Sequence, residues 1–122
     1  MVPPSLRLIH VNLRVLDPEA SAAFYARVLL PDARSEWLGN SLHLRTGSVD
    51  LAFQAGEPAS AASWHLGFLA PSRDAVDAIR QQVVEAKISL TDDSSEAGFR
   101  SIKFRDADGY ECEVYWEQAW AG

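Results

Sequence analysis

Four residues of this chain have side chains suited to holding a metal ion or moving a proton: His10, Asp50, His65 and Glu113. Each lies in a stretch where polar and apolar residues alternate. His10 alternates with Ile9, Val11 and Leu13, and Asp50 with Val49, Leu51 and Phe53. His65 alternates with Trp64, Leu66 and Phe68, and Glu113 with Cys112, Val114 and Trp116. Successive residues of a strand point to opposite faces, so each apolar set turns to a core and each polar residue turns away from it. Two imidazoles with one or two carboxylates suit Zn²⁺, Fe²⁺, Mn²⁺, Ni²⁺ or Co²⁺. Asp50 and Glu113 are also candidate general bases. The ordinary alternative is a hydrogen-bonded surface histidine beside a solvated carboxylate. Spacings of tens of residues do not by themselves separate the two readings.

The elements that must position these residues follow from periodicity. Alternation over Leu6 to Val15 predicts a strand. Asp17-Pro18-Glu19 predicts a helix start, with Asp17 as the cap and Pro18 in the first turn. The Ala20, Ala23, Phe24, Val28 spacing predicts an amphipathic helix ending near Leu30-Pro31. Three strands are expected near 32–38, 40–46 and 48–54, with turns at Gly39-Asn40 and Gly47-Ser48. Residues 55–62 read as a linker. A strand from Ser63 to Leu69 follows, then a helix capped by Ser72 with Val76, Ile79 and Val83 on its buried face. Strands near 87–92, 99–106 and 110–117 complete the chain, with a hairpin turn at Asp108-Gly109.

That order is βαβββ, linker, βαβββ. Laying His10 on His65 keeps the halves in step through the first helices: Asp17 falls on Ser72, Ala20 on Ala75, Phe24 on Ile79 and Val28 on Val83. The pattern is an internal repeat. It predicts an α+β fold: two tandem βαβββ modules forming a curved mixed sheet around a central cup, with helices outside. Residues 1–122 form one domain in this reading, with module one about 6–54 and module two about 63–117. His10 and His65 lie on the first strand of each half, Asp50 and Glu113 on the last, and pseudo-two-fold symmetry would gather all four.

By the same parity Ser41, His43 and Arg45 face the polar side, as do Ser101, Lys103 and Tyr115. His43 is a candidate general base or a surface histidine. Arg14, Arg45 and Lys103 form either an electropositive lining for an anionic or oxygen-rich small molecule, or a solvated face. Trp64 and Trp116 read as packing residues. Trp37 and Trp120 are placed to roof a flat ligand or to meet a second subunit.

Composition sets outer bounds. A net charge of −6 over 122 residues argues against nucleic acid and anionic membrane surfaces as partners. No apolar run matches a spanning helix, and no signal peptide is recognised. Cys112 is the only cysteine, so no internal disulfide forms; its core position predicts an inert thiol, and a cytoplasmic location is expected.

Three motifs in order resemble the vicinal oxygen chelate superfamily, which unites glyoxalases, bleomycin- and fosfomycin-resistance proteins and extradiol dioxygenases. They are His10-Val11-Asn12-Leu13-Arg14-Val15 with Asp17 and Phe24-Tyr25, then Ser63-Trp64-His65-Leu66-Gly67-Phe68, then Phe104 to Tyr110 followed by Glu113. The resemblance implies His10, His65 and Glu113 as metal ligands, with Asp50 where glyoxalase I carries a fourth, normally Glu. It puts Arg14 where that branch contacts glutathione, but Gln54 where that branch has Asn. Asn12 and Lys103 stand where fosfomycin enzymes place Thr and Tyr near substrate. Substrate contacts are expected from Asn12, Arg14, Arg45, Ser101, Lys103 and Tyr115, and proton transfer from Glu113, Asp50 or His43.

The resemblance therefore implies a small-molecule metalloenzyme of lyase, isomerase or thiol-transfer type. It would use Zn, Ni, Mn or Fe, and glutathione or another thiol as a possible co-substrate. It also implies a homodimer. The alternative is a metal-free, bleomycin-resistance-like protein that sequesters an aromatic compound or drug. A third reading is a retired site serving only as an interaction domain. Folds of this kind host many activities, so the site must decide.

Overall fold

The computed structural model describes residues 5–59 and 64–120. Residues 1–4, the last linker residues and Ser63 lie outside the described residues, as does the side chain of Trp120. The chain divides into two compact units, Met1–Glu57 and Pro58–Gly122. Each is a four-stranded mixed sheet with one helix, so the fold is α+β with two tandem βαβββ modules.

Unit one runs β1 (His10–Val15), α1 (Pro18–Val28), β2 (Arg34–Leu38), β3 (Ser41–Arg45) and β4 (Asp50–Ala55). Its sheet order is β1-β4-β3-β2, with β1 parallel to β4 and the other pairs antiparallel. Asp17 caps α1 by accepting from the Ala20 amide at 3.1 Å, which satisfies one of the free N–H groups of the first turn. The helix covers the sheet face formed by Leu13, Val15, Leu42, Leu44, Leu51 and Phe53, all buried. Tyr25 is fully buried against Phe53, with ring centroids 5.3 Å apart.

Unit two runs β5 (Leu66–Leu69), α2 (Arg73–Glu85), β6 (Leu90–Glu96), β7 (Phe99–Arg105), β8 (Glu111–Glu117) and a short 3₁₀ turn, Gln118–Trp120. Its order, β5-β8-β7-β6, repeats that of unit one. Ser72 caps α2 through the Ala75 amide at 3.1 Å. Val76, Val83, Ile102, Phe104, Cys112 and Val114 form its buried core. Arg100 is also buried there, paired with Asp77 at 3.0 Å and Asp93 at 2.6 Å. No helix among the described residues is long and apolar enough to cross a membrane.

Several expected boundaries shift for physical reasons. The first strand begins at His10, not Leu6, because its partner among the described residues, β4, is six residues long and its ladder ends where the Asp50 amide donates to the Ile9 carbonyl at 2.7 Å. Leu6 and Leu8 are exposed, and Ile9 and Val11 remain 41% and 38% exposed. The expected buried face is therefore buried only at its Leu13 end. The buried face of α1 is Ser21, Ala22, Tyr25 and Val28; Ala20 and Ala23 are exposed and Phe24 half-buried. Rotation of one residue moves a helix face by about 100°, and a run of small residues gives that phase little signal. The sixth strand lies at Leu90–Glu96 rather than 87–92, since Lys87 turns the chain with φ 65°. The Asp108-Gly109 turn is part of a longer loop in which the Asp106 carboxylate accepts from the Asp108 and Tyr110 amides.

Candidate metal centre

Pairing register assigns each side chain a face. In unit one, His10 is opposite Asp50, Asn12 and His43 are opposite Ala52, and Arg14 and Ser41 are opposite Gln54. Partners in register share a face, so all of these lie on the face away from α1. Arg45, opposite Asp50, and Glu36, opposite His43, join them. Trp37 pairs with Leu42 on the helix side, 49% exposed, and so lies on the opposite face from His10.

Asp50 is the hub. His10 approaches with Nδ1 3.0 Å from the Asp50 carbonyl and 3.2 Å from Oδ2. His43, buried on β3, places Nδ1 2.7 Å from Oδ1. The two imidazoles stack almost parallel, with centroids 5.6 Å apart. Arg45 stands 3.5 Å from Oδ2 and is drawn away by Glu36 at 2.8 Å. Burial pushes the Asp50 carboxyl upward, but bonds from His43 and Arg45, with the charges behind them, outweigh it and hold the group below its ordinary value. A cavity of about 240 Å³ beside this cluster is lined by Arg34, Ser35, Glu36 and Arg45.

Unit two builds a second pair. His65, immediately before β5, places Nε2 3.1 Å from Glu113 Oε1. Ser101, 1% exposed, donates from Oγ to Glu113 Oε2 at 2.6 Å. Lys103 is opposite Glu113, and Tyr115 is opposite Ser101, so all lie on the face away from α2. The other expected contacts of unit one divide differently. Asn12 donates to Ser41 at 3.3 Å. The stem of Arg14 lies against Gly56, where an added Cβ would stand 3.1 Å from Cδ.

The two units carry their carboxylates at different register positions. With His10 laid on His65, Asn12 falls on Gly67. Asn12 is opposite Ala52, whereas Gly67 is opposite Glu113. Ala52, not Asp50, therefore occupies the position equivalent to Glu113. Asp50 corresponds to Glu111, and its contact with Arg45 matches Arg105–Glu111 at 3.8 Å. Sequence alternation places Asp50 and Glu113 on corresponding strands, but it carries no register. Glu36 was not among the expected site residues; alternation along 34–38, followed from the helix side outward, was the signal that marks it.

The donor set of unit one fits a divalent metal. One ligand atom from each of His10, His43 and Asp50 can be chosen so that all lie within 4.8 Å of one another. First-row metals bind imidazole and carboxylate at about 2.0–2.2 Å, which puts neighbouring ligand atoms of an octahedron about 3 Å apart. The 2.7 Å and 3.2 Å separations run to the two different oxygens of Asp50 and are also ordinary hydrogen-bond lengths, so the fit rests on donor type and mutual proximity.

Comparison with solved structures gives the fold independently. A lactoylglutathione lyase from Agrobacterium tumefaciens is 21% identical, with TM-score 0.74, covering 99% of this chain and 100% of that one. A genomically encoded fosfomycin resistance protein, FosX, from Listeria monocytogenes, complexed with Mn(II) and sulfate, is 15% identical, with TM-score 0.72, covering 96% and 92%. The oxidase ChaP-H2 is 22% identical, with TM-score 0.78, covering 93% and 95%. No curated protein sequence matches the chain. The family model for the Glyoxalase/Bleomycin resistance protein/Dioxygenase superfamily matches residues 7–114, from before β1 into β8, taking in both histidine–carboxylate pairs, and the chain belongs to that superfamily.

Proposed function

We propose that the chain is a metal-dependent enzyme acting on a small molecule with two adjacent oxygens, by lyase, isomerase or thiol-transfer chemistry. The observation that carries this reading is that each unit sets an imidazole against a carboxylate on the sheet face its helix leaves free, at 3.2 Å for His10–Asp50 and 3.1 Å for His65–Glu113. The candidate ligands are His10 and Asp50 in unit one and His65 and Glu113 in unit two. A divalent ion held there would supply Lewis-acid stabilisation to negative charge developing on a substrate oxygen.

The remaining roles belong to the protein. Glu113 is held by Ser101 on Oε2 and faces His65 with Oε1 at 3.1 Å, so its carboxylate is fixed in place, and it takes the proton from a substrate carbon through the oxygen shared with His65. Asp50 and His43 form a second proton-holding pair at 2.7 Å. In unit one Arg45, with Arg34 beside the same cavity, suits an anionic group of a substrate, and Asn12 and Arg14 offer further polar contacts; in unit two Lys103 and Tyr115 offer them. This reading also includes a homodimer and a cytoplasmic location.

The test is metal content by plasma mass spectrometry on untagged protein purified without chelator, beside His10→Ala and Glu113→Gln. Near-stoichiometric metal in the wild type and loss in the variants is the expected result. It would justify screening methylglyoxal–thiol adducts, fosfomycin and catechols. A wild type that takes up no metal from Mn²⁺, Ni²⁺, Fe²⁺ or Zn²⁺ overturns the enzyme mechanism and leaves a binding protein for aromatic compounds, followed by tryptophan fluorescence. Light scattering on the eluted protein reads the dimer directly.

A further inference from the structure

We infer that His43 is itself a metal ligand, completing a His10–His43–Asp50 site within unit one. The inference rests on the metal reading above, and it adds a donor that the family resemblance does not supply. Its first support is the register. In unit two, the residue level with Gly67 on the central strand is Glu113, a carboxylate. In unit one that level holds Ala52, which has no donor atom and is fully buried. The residue directly across from Ala52 on the next strand is His43. In unit two, the residue across from Glu113 is Lys103, whose ammonium group has no lone pair to offer a metal. At that level unit one thus presents an imidazole on β3 beside Ala52, where unit two presents a carboxylate on β8.

The second support is convergence. His10 and His43 come from strands on opposite sides of β4, and both direct Nδ1 at the two oxygens of one carboxylate, at 3.2 Å and 2.7 Å. His43 is 9% exposed, while His10 is open to solvent. One donor is thus fixed by packing and one can be reached from outside. A histidine serving only to hold Asp50 requires no second imidazole stacked on it at 5.6 Å. The positive group nearest the cluster, Arg45, is 3.5 Å from Asp50 but is bound more closely by Glu36 at 2.8 Å, so it can leave the carboxylate when an ion arrives.

The experiment uses the full chain, freed of metal and labelled with ¹⁵N, and titrated with Zn²⁺ alone. Long-range ¹H–¹⁵N spectra report each imidazole nitrogen separately. A shift of a His43 ring nitrogen that saturates together with that of His10 supports the inference, and needs no variant that could misfold. His43→Asn is the companion variant, because its amide can still donate to Asp50 but its imidazole donor is gone. Loss of a ligand should weaken Zn²⁺ binding by about 100-fold or more, beyond the effect of removing a supporting hydrogen bond. His43→Asn with wild-type affinity, or His43 signals that do not move while those of His65 do, overturns the inference and leaves the proposed function standing. A wild type that binds no Zn²⁺, Ni²⁺ or Mn²⁺ overturns both.

Discussion

Replacing Ser101 with Ala asks whether a hydroxyl that touches no ion sets the strength of the site in unit two. Ser101 is 1% exposed and its bond to Glu113 is 2.6 Å long, in the short range of an O–H donor on a charged oxygen. Such bonds contribute about 1.5–3 kcal/mol. The Glu113 side chain is 16% exposed, so water can replace part of the lost bond, and the working figure is the lower end, about 1.5–2 kcal/mol. That converts to Zn²⁺ affinity weakened by about 10- to 30-fold. Residues that orient a ligand from behind cost about 10- to 100-fold when removed, an independent figure that overlaps this one. The assay is competition with a chromophoric chelator at neutral pH, with circular dichroism to verify the fold. Ser94→Ala is the control: Ser94 is opposite Ser101, and its own hydroxyl bonds Asp92 at 2.8 Å. Wild-type affinity in a folded Ser101→Ala protein would refute the argument that this hydroxyl holds Glu113 for the ion.

Three further outcomes are expected. The Asp50 carboxyl is held below its ordinary value by His43 and Arg45 against the upward push of burial. Its contribution to stability is thus complete above its unfolded pKa of about 3.9 and lost as pH falls through the lower folded value. Urea unfolding should show a smaller loss between pH 7 and pH 3 in Asp50→Asn than in the wild type, and identical losses would count against it. Asp17→Ala and Ser72→Ala, each removing a cap bond of 3.1 Å, should each cost about 1 kcal/mol in urea unfolding; Asp17→Asn should be close to neutral. Cys112 is fully buried, so a thiol reagent should label it slowly in native protein and quickly in urea. Immediate labelling of native protein would contradict its place in the core.

Strand parity carried most of what the sequence told about the site. His10, His43, Asp50 and Arg45 share a face because alternation has a period of two, and any strand that buries one side must show it. Both caps were legible for a similar reason, since Asp17 and Ser72 each precede a helix with an amide to satisfy. Register was not legible. Nothing in the residue types of 48–54 reveals that Asp50 faces His10 and that Ala52 holds the level of Glu113, because register depends on which backbone groups meet. The phase of α1 was obscured by Ala20, Ser21, Ala22 and Ala23, which differ too little in bulk or polarity to mark one side. The strand Leu90–Glu96 was misplaced because its Thr-Asp-Asp-Ser-Ser-Glu run shows no apolar alternation; it is an edge strand, held by β7 on one side only. Polar residues are what an edge strand uses to discourage further pairing.

The parallel pairing of β1 with β4 has a consequence for the order in which the site assembles. His43 and Asp50 are seven residues apart on one hairpin, whereas His10 and Asp50 are forty apart. Hairpins close in about 1–10 μs, while contacts distant along the chain wait for a longer loop to close. The His43–Asp50 pair thus belongs to an early, local piece of structure, and His10 arrives only when β1 docks on the far side of β4. The same asymmetry runs in reverse in the native protein. β1 is an edge strand with exposed Ile9 and Val11 at its open end, and strands with few buried contacts open locally at little cost. Fraying of that end would withdraw His10 and leave the His43–Asp50 hairpin intact.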